Sequence, residues 1–151
     1  VNHEYWLRRA AEVASRATCR RKRCGAVVIV NEVVGGVGWN GPPPGVAHRC
    51  LVAKASKAHP RSDRTCCVHA EQRALIEYAR GNWQGRRPRL YFARLDDAGT
   101  IAPSGHPYCT MCSRMALDVG IHEWIMLTGD GVQVWPAAVF DELSHQEPPN
   151  P

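Results

Sequence analysis

The chain has 151 residues, room for one domain spanning residues 1–151 with one sizeable core, since domains commonly run roughly 100 to 200 residues. At 44% hydrophobic and 22% charged it is too apolar for disorder, and its longest purely apolar run, residues 26–30, is far below the roughly 20 that a membrane-spanning helix needs. Lys and Arg exceed Asp and Glu by 19 to 14, leaving a net charge of +5 that favours anionic partners such as nucleotides or nucleic acid.

Residues 4–17 read as an amphipathic helix with Leu7, Ala10, Ala11 and Ala14 at helical spacing. The same stretch sets charge on both sides of a short apolar patch, unlike a signal peptide, so the expected compartment is the cytoplasm. A basic run at residues 20–23 follows, either a solvated loop or a phosphate contact. Residues 24–30 and 33–39 are short β-branched runs separated by Asn31-Glu32, which predicts a hairpin. Three consecutive prolines make residues 41–45 a loop, and the chain from there to Cys67 reads as irregular or weakly helical. Residues 70–80 form a helix that stops at Gly81-Asn82, and residues 89–95 a strand. Residues 96–105 read as a polar loop, 110–119 as a helix ended by Gly120, 122–128 as a strand, and 132–135 as a last short strand beyond a turn at 129–131. The tail, residues 147–151, is expected to fray. Alternating strands and helices place the chain in the α/β class, with helices on both sides of a central sheet.

Three side chains carry the chemistry. His69 opens one predicted helix in His69-Ala70-Glu71, and Cys109 and Cys112 open another. Cysteines three apart on a first helical turn project from the same side, and a helix N-terminus favours the thiolate that binds metal. A structural zinc takes four protein ligands, whereas a catalytic zinc takes three and leaves a position for water. One histidine and one cysteine pair make three. Glu71 then adds a carboxylate close enough to move protons. Either half of this pattern alone says little, but H-x-E followed by C-x-x-C, each opening a helix with a strand between, is the signature of zinc deaminases.

On these residues, together with residues 20–30, Gly38-Trp39-Asn40-Gly41-Pro42, Leu90-Tyr91-Phe92 and residues 109–121, the chain resembles the cytidine and deoxycytidylate deaminase superfamily, and the deoxycytidylate deaminases most. The resemblance implies a three-layer α/β/α fold around a mixed five-stranded sheet. It implies zinc on His69, Cys109 and Cys112, and Glu71 as proton shuttle. It also implies a sugar contact at Asn40, which read by itself before Gly41 is a turn residue; Ala70, between His69 and Glu71, and Tyr108, adjacent to Cys109, are the further candidates to line the pocket. Some members carry a second, structural zinc, and His3, Cys19, Cys50 and His59 match that set best, with Cys66 or Cys67 as substitutes. Cys24, beginning an apolar strand, reads as a small hydrophobe.

Three departures from the family pattern lie near the site. Tyr108 separates Pro107 from Cys109, Arg73 replaces the usual asparagine, and residues 96–106 lengthen the connection to the cysteines. The leading expectation is hydrolytic deamination of a small nucleotide or nucleoside, deoxycytidylate to deoxyuridylate first, by a homo-oligomer without membrane contact. Another base, a polynucleotide substrate, or a zinc-stabilised binding module without enzyme activity are the alternatives; no aromatic-basic interleaving favours nucleic acid.

Overall fold

The computed structural model describes residues 1–19, 21–46, 66–83 and 86–146. Its elements in chain order are α1 (His3–Ala14), β1 (Arg23–Val30), β2 (Val33–Trp39), α2 (Ala70–Ala79), β3 (Arg89–Leu95), β4 (Ile101–Ala102), α3 (Thr110–Asp118), β5 (Glu123–Thr128), β6 (Gly131–Pro136) and α4 (Ala137–His145). The sheet is mixed and six-stranded: five strands follow the order β2-β1-β3-β5-β6, as the resemblance implies, and the short β4 adds a sixth beside β3. Only the central β3–β5 pair is parallel. Among the described residues no helix is long and apolar enough to cross a membrane.

The apolar run of β1 is continuous because both faces of the sheet are covered, as buried strands require. Ala26, Val28 and Val30 point into a cluster with Ala70, Ala74 and Leu75 of α2, Cys112 and Ala116 of α3, and Phe140 of α4. Val27 and Ile29 point the other way, onto Trp6, Leu7, Ala10 and Val13 of α1. The period of two along one strand thus builds both outer layers.

Asn31 and Glu32 both have positive φ, 48° and 63°, the two-residue geometry whose twist suits a hairpin. Beyond this turn the pairing slips between Val28 and Ile29, leaving Gly35 as the extra residue of a bulge. The glycines that interrupt the second apolar run have a packing reason. A Cβ on Gly38 would overlap the Ala70 carbonyl and the Ala74 amide, so β2 lies with its backbone directly against α2.

Two segments differ from the sequence reading. The loop expected over residues 96–105 contains β4, which pairs with the end of β3 through Arg94↔Ala102 and Leu95↔Ile101. Asp96 makes this turn by accepting from the amides of Ala98 and Thr100 through Oδ1, 3.0 and 2.9 Å away. The second difference is α4, a helix in a stretch where the sequence reading assigns none. Its Phe140 stacks on the buried Trp124 with ring centroids 3.9 Å apart, a contact between residues sixteen apart that local periodicity does not reveal. The expected C-terminal glycine of α2 also differs, because Arg80 caps that helix in the right-handed region and Gly81 keeps a negative φ.

The closeness of β2 to α2 generates a stability test. Gly38→Ala should cost about 1–3 kcal/mol or more, the usual range for overpacking against backbone that cannot yield. Urea unfolding compared with Gly105→Ala, where an added Cβ meets nothing within 4 Å, checks it, and equal midpoints would contradict the packing described.

Candidate active site

His69 is the N-cap of α2, and Cys109 is the N-cap of α3. The side chains at the two helix starts face each other. The Gln72 side chain fixes the entry of α2 by accepting from the His69 amide at 3.0 Å. Cys112 lies one turn into α3 and is fully buried.

The three donor atoms converge. His69 Nδ1 is 3.2 Å from Cys112 Sγ and 3.3 Å from Cys109 Sγ, and the two sulfurs are 3.0 Å apart. Zinc bonds of about 2.3 Å to sulfur and 2.1 Å to nitrogen in a tetrahedron set donors about 3.6–3.8 Å apart. The two nitrogen–sulfur edges therefore need to open by about 0.3–0.4 Å and the sulfur–sulfur edge by about 0.8 Å, a side-chain adjustment. One imidazole and two thiols are also the soft donors that select zinc over a hard cation. Among the described residues this is the one group of three or more His, Cys, Asp or Glu side chains whose donors gather within 4.8 Å.

The electrostatics agree. The hydrogen bond from Cys112, with a further one from His69, holds the Cys109 thiol down to about 4. The shared bond and burial push Cys112 the other way, well above the ordinary thiol range. The contact with Cys109 raises His69. Glu71 follows His69 by two residues and is buried, within hydrogen-bond reach of Cys112. Burial raises its carboxyl above the usual range, and the negative Cys109 adds to the rise.

Asn40 sits at the end of β2, 8% exposed. Its Oδ1 accepts from the Cys24 amide at 2.8 Å and its Nδ2 donates to the Lys22 carbonyl at 2.8 Å. It is therefore a clamp on the start of β1 as well as a candidate substrate contact. Ala70 is fully buried and shapes the wall behind Glu71. Tyr108 is 63% exposed at the rim beside Cys109. Cys24 packs against the core as its position predicts, but it also faces the site. Burial first, and then the charge of Glu71, push its thiol up to about 12, so that it stays neutral. That second aspect was not visible in the sequence, where Cys24 and Glu71 stand 47 positions apart.

Of the four residues that the resemblance implies for a second zinc, the two described ones, His3 and Cys19, stand apart. His3 opens α1 and its Nδ1 meets the Tyr91 hydroxyl at 2.8 Å. Cys19 lies beyond the other end of that twelve-residue helix, about 18 Å away along its axis. Cys50 and His59 fall outside the described residues. Cys19 instead hydrogen-bonds Cys67, whose Sγ is 3.7 Å from that of Cys66.

The convergence of donors makes a metal test direct. Replacing Cys109 and Cys112 together by serine should remove one tightly held zinc per chain, counted by mass spectrometry of the native protein, because a three-ligand site has no spare. Undiminished zinc would contradict the geometry.

Comparison with known proteins agrees with the site. Residues 1–128 match the model of the cytidine and deoxycytidylate deaminase zinc-binding region. Deoxycytidylate deaminase of Mycobacterium phage D29 is 32% identical over 126 residues, covering 78% of this chain and 88% of that protein. The deoxycytidylate deaminase of Saccharomyces cerevisiae is 32% identical over 91 residues, 58% of this chain but 28% of the longer yeast protein. In fold, the chain is similar to the apo dCMP deaminase of cyanophage S-TIM5, with a TM-score of 0.59 at 23% identity over 94% of this chain and 91% of the other. It is also similar to the cytidine deaminase of Burkholderia pseudomallei, with a TM-score of 0.57 at 19% identity over 93% and 96%. With its fold, its converging donors and these relatives together, the chain belongs to the cytidine and deoxycytidylate deaminase family of zinc-binding proteins.

Proposed function

We propose that the chain hydrolyses the exocyclic amine of a cytosine nucleotide, converting deoxycytidylate to deoxyuridylate and ammonia. The observation that carries this reading is the triangle of His69, Cys109 and Cys112 with a buried carboxylate, Glu71, beside it. His69, Cys109 and Cys112 would hold the zinc. Zinc bound there supplies a Lewis acid that makes water nucleophilic near neutral pH. Glu71 receives the proton that the attacking water gives up and passes it to the ring nitrogen. It then carries a second proton to the departing amine, so that water and the amine exchange with no other reactant. Its burial raises the carboxyl from the ordinary carboxylate range, the direction in which a carboxylate takes up and holds a proton more readily.

The preference for a nucleotide is supported by charge around Asn40. The Lys22 carbonyl is bonded to Asn40 Nδ2, and the Lys22 and Arg94 cations lie within electrostatic range of Cys24. Positive charge thus stands on the Asn40 side of the pocket, where a sugar phosphate would extend from a ring placed at Glu71. The phage D29 relative is named for the same substrate.

Cys67, paired with Cys19 and 3.7 Å from Cys66, supports a second, structural zinc at the end of α1, for which Cys19 and Cys66 would draw together around the ion. Metal-replete protein should then carry close to two zincs per chain. Cys19→Ala should remove one and lower the melting temperature while leaving turnover per folded molecule within a few-fold; a stoichiometry of one in the parent protein would refute the second site.

Ammonia release from deoxycytidylate, deoxycytidine, cytosine, guanine and adenosine, measured side by side at low salt, tests the function. Deoxycytidylate should have the highest kcat/KM, because binding energy from a remote phosphate positions the ring. Glu71→Gln should keep zinc while lowering kcat by about 10²- to 10⁴-fold. Faster release from a free base would overturn the nucleotide reading, and turnover of the Glu71→Gln variant within a few-fold of the parent would remove Glu71 from the chemistry.

A further inference from the structure

We infer that Arg73 is a positioning residue that holds Asn40 and its loop in register with Glu71, and that it thereby sets affinity for the sugar end of the substrate. The inference rests on the deaminase reading above and adds to it a residue that never meets the reacting ring. Successive helical residues are 100° apart, so Arg73, two positions after Glu71 on α2, points to the opposite side of the helix from the shuttle.

Its guanidinium reaches across to residues 39–42. Nη1 donates to the Trp39 carbonyl at 2.9 Å, and Nη2 donates to the carbonyls of Gly41 and Pro42 at 3.2 and 3.3 Å. These carbonyls flank Asn40 on both sides. The Asn40 carbonyl itself is taken by the amides of Thr18 and Cys19, at 3.0 and 3.3 Å, and Gly41 exchanges both backbone bonds with Val68. Segment 39–42 is thus tied to the end of α1, to the residue before His69 and, through Arg73, to the helix that carries Glu71.

Among the described residues the Arg73 guanidinium meets carbonyls and no carboxylate. Its charge is spent on orienting peptide groups. A planar fork spreads its donors over two nitrogens to reach carbonyls on both sides of Asn40, whereas a lysine ammonium radiates its three donors from one point. An asparagine, the family's usual residue here, is three bonds shorter than this reach requires. The fit around Gly41 is tight, since a Cβ there would overlap Thr18 Oγ1 and come within 3.4 Å of Arg73 Nη1. Hydrogen bonds from a charged donor are among the stronger ones, and misplacing a substrate group by about 1 Å can cost up to 10²-fold in rate.

The test uses Arg73→Gln and Arg73→Lys in the full chain, with two readouts. Amide hydrogen exchange at Thr18, Cys19 and Gly41 should quicken on the order of tenfold in Arg73→Gln, while amides in α3 and β5 keep their protection. Steady-state kinetics should show KM for deoxycytidylate and deoxycytidine rising on the order of tenfold, with kcat within a few-fold, KM for free cytosine unmoved and zinc content unchanged. Arg73→Lys, which keeps the charge and one contact, should fall between; it also serves if Arg73→Gln does not fold. Unchanged exchange and unchanged KM would overturn the inference, as would a loss of kcat that follows zinc loss. Should the parent protein release no ammonia from any compound of the panel, the deaminase reading fails separately, and the exchange readout decides alone whether Arg73 holds the loop.

Discussion

Everything in the site depends on two helix N-termini meeting at one point. His69 caps α2 and Cys109 caps α3, and their donors stand 3.3 Å apart although they are 40 residues apart in sequence. Such a meeting is not a property of either helix. It requires that both lie on the same face of the sheet and run in compatible directions. The single parallel pair, β3 with β5, provides this, because α3 must cross between them to bring the chain back in the same sense. On the other side of the sheet's centre, Gly38 lets β2 press its backbone against the first turn of α2. The position of His69 is thus set from below by a strand and that of Cys112 by a crossover, and the donors meet where the two constraints intersect.

Electrostatics follow from that meeting. Two sulfurs, an imidazole and a carboxylate share a buried volume, and the low dielectric there makes each sensitive to its neighbours. Cys109 is driven toward the thiolate while Cys112 is driven away from it. The opposition is what two thiols 3.0 Å apart must show when their surroundings can stabilise one negative charge but not two. A divalent cation resolves the conflict, since it can face two thiolates together. Glu71, raised by burial and by Cys109, answers to the same charge balance.

The ligand pattern was legible in the sequence because its information is local: spacing within a helical turn, and a donor at each N-cap. The strands of the hairpin and the central β3 were legible for a similar reason, since Asn31-Glu32 is a turn signal and residues 89–95 form an uninterrupted strand. What the sequence concealed depends on pairing at a distance. β4 exists only because residues 101–102 fall opposite the end of β3, and α4 is held by the stacking of Phe140 on Trp124. The same limit explains the second metal set. Assigning His3 to Cys19 ignores the length of the helix between them, which a pattern of residue types does not express. Cys67, one of the two substitutes, is the residue that the fold brings to Cys19, and Cys66 stands beside Cys67.

Asn40 makes structural bonds and still keeps the capacity that its other sequence reading needs. An asparagine amide offers two N–H donors and two acceptor lone pairs. The Lys22 carbonyl uses one donor and the Cys24 amide one lone pair, so half of its capacity remains. The committed half orients the free half, since both bonds lie on the backbone of β1 and fix the amide plane against rotation. Nearby, Cys24 stays neutral and Ala70 presents no polar side chain. The Cys24 and Ala70 side chains thus add no charge beside Asn40, while the ligand triangle carries charge on one side and the Lys22 and Arg94 cations on the other. A neutral heteroaromatic ring with an anionic substituent beyond its sugar matches that order of surfaces. A bare cation would meet positive charge at the entrance, and a free base would leave that charge without a counterpart.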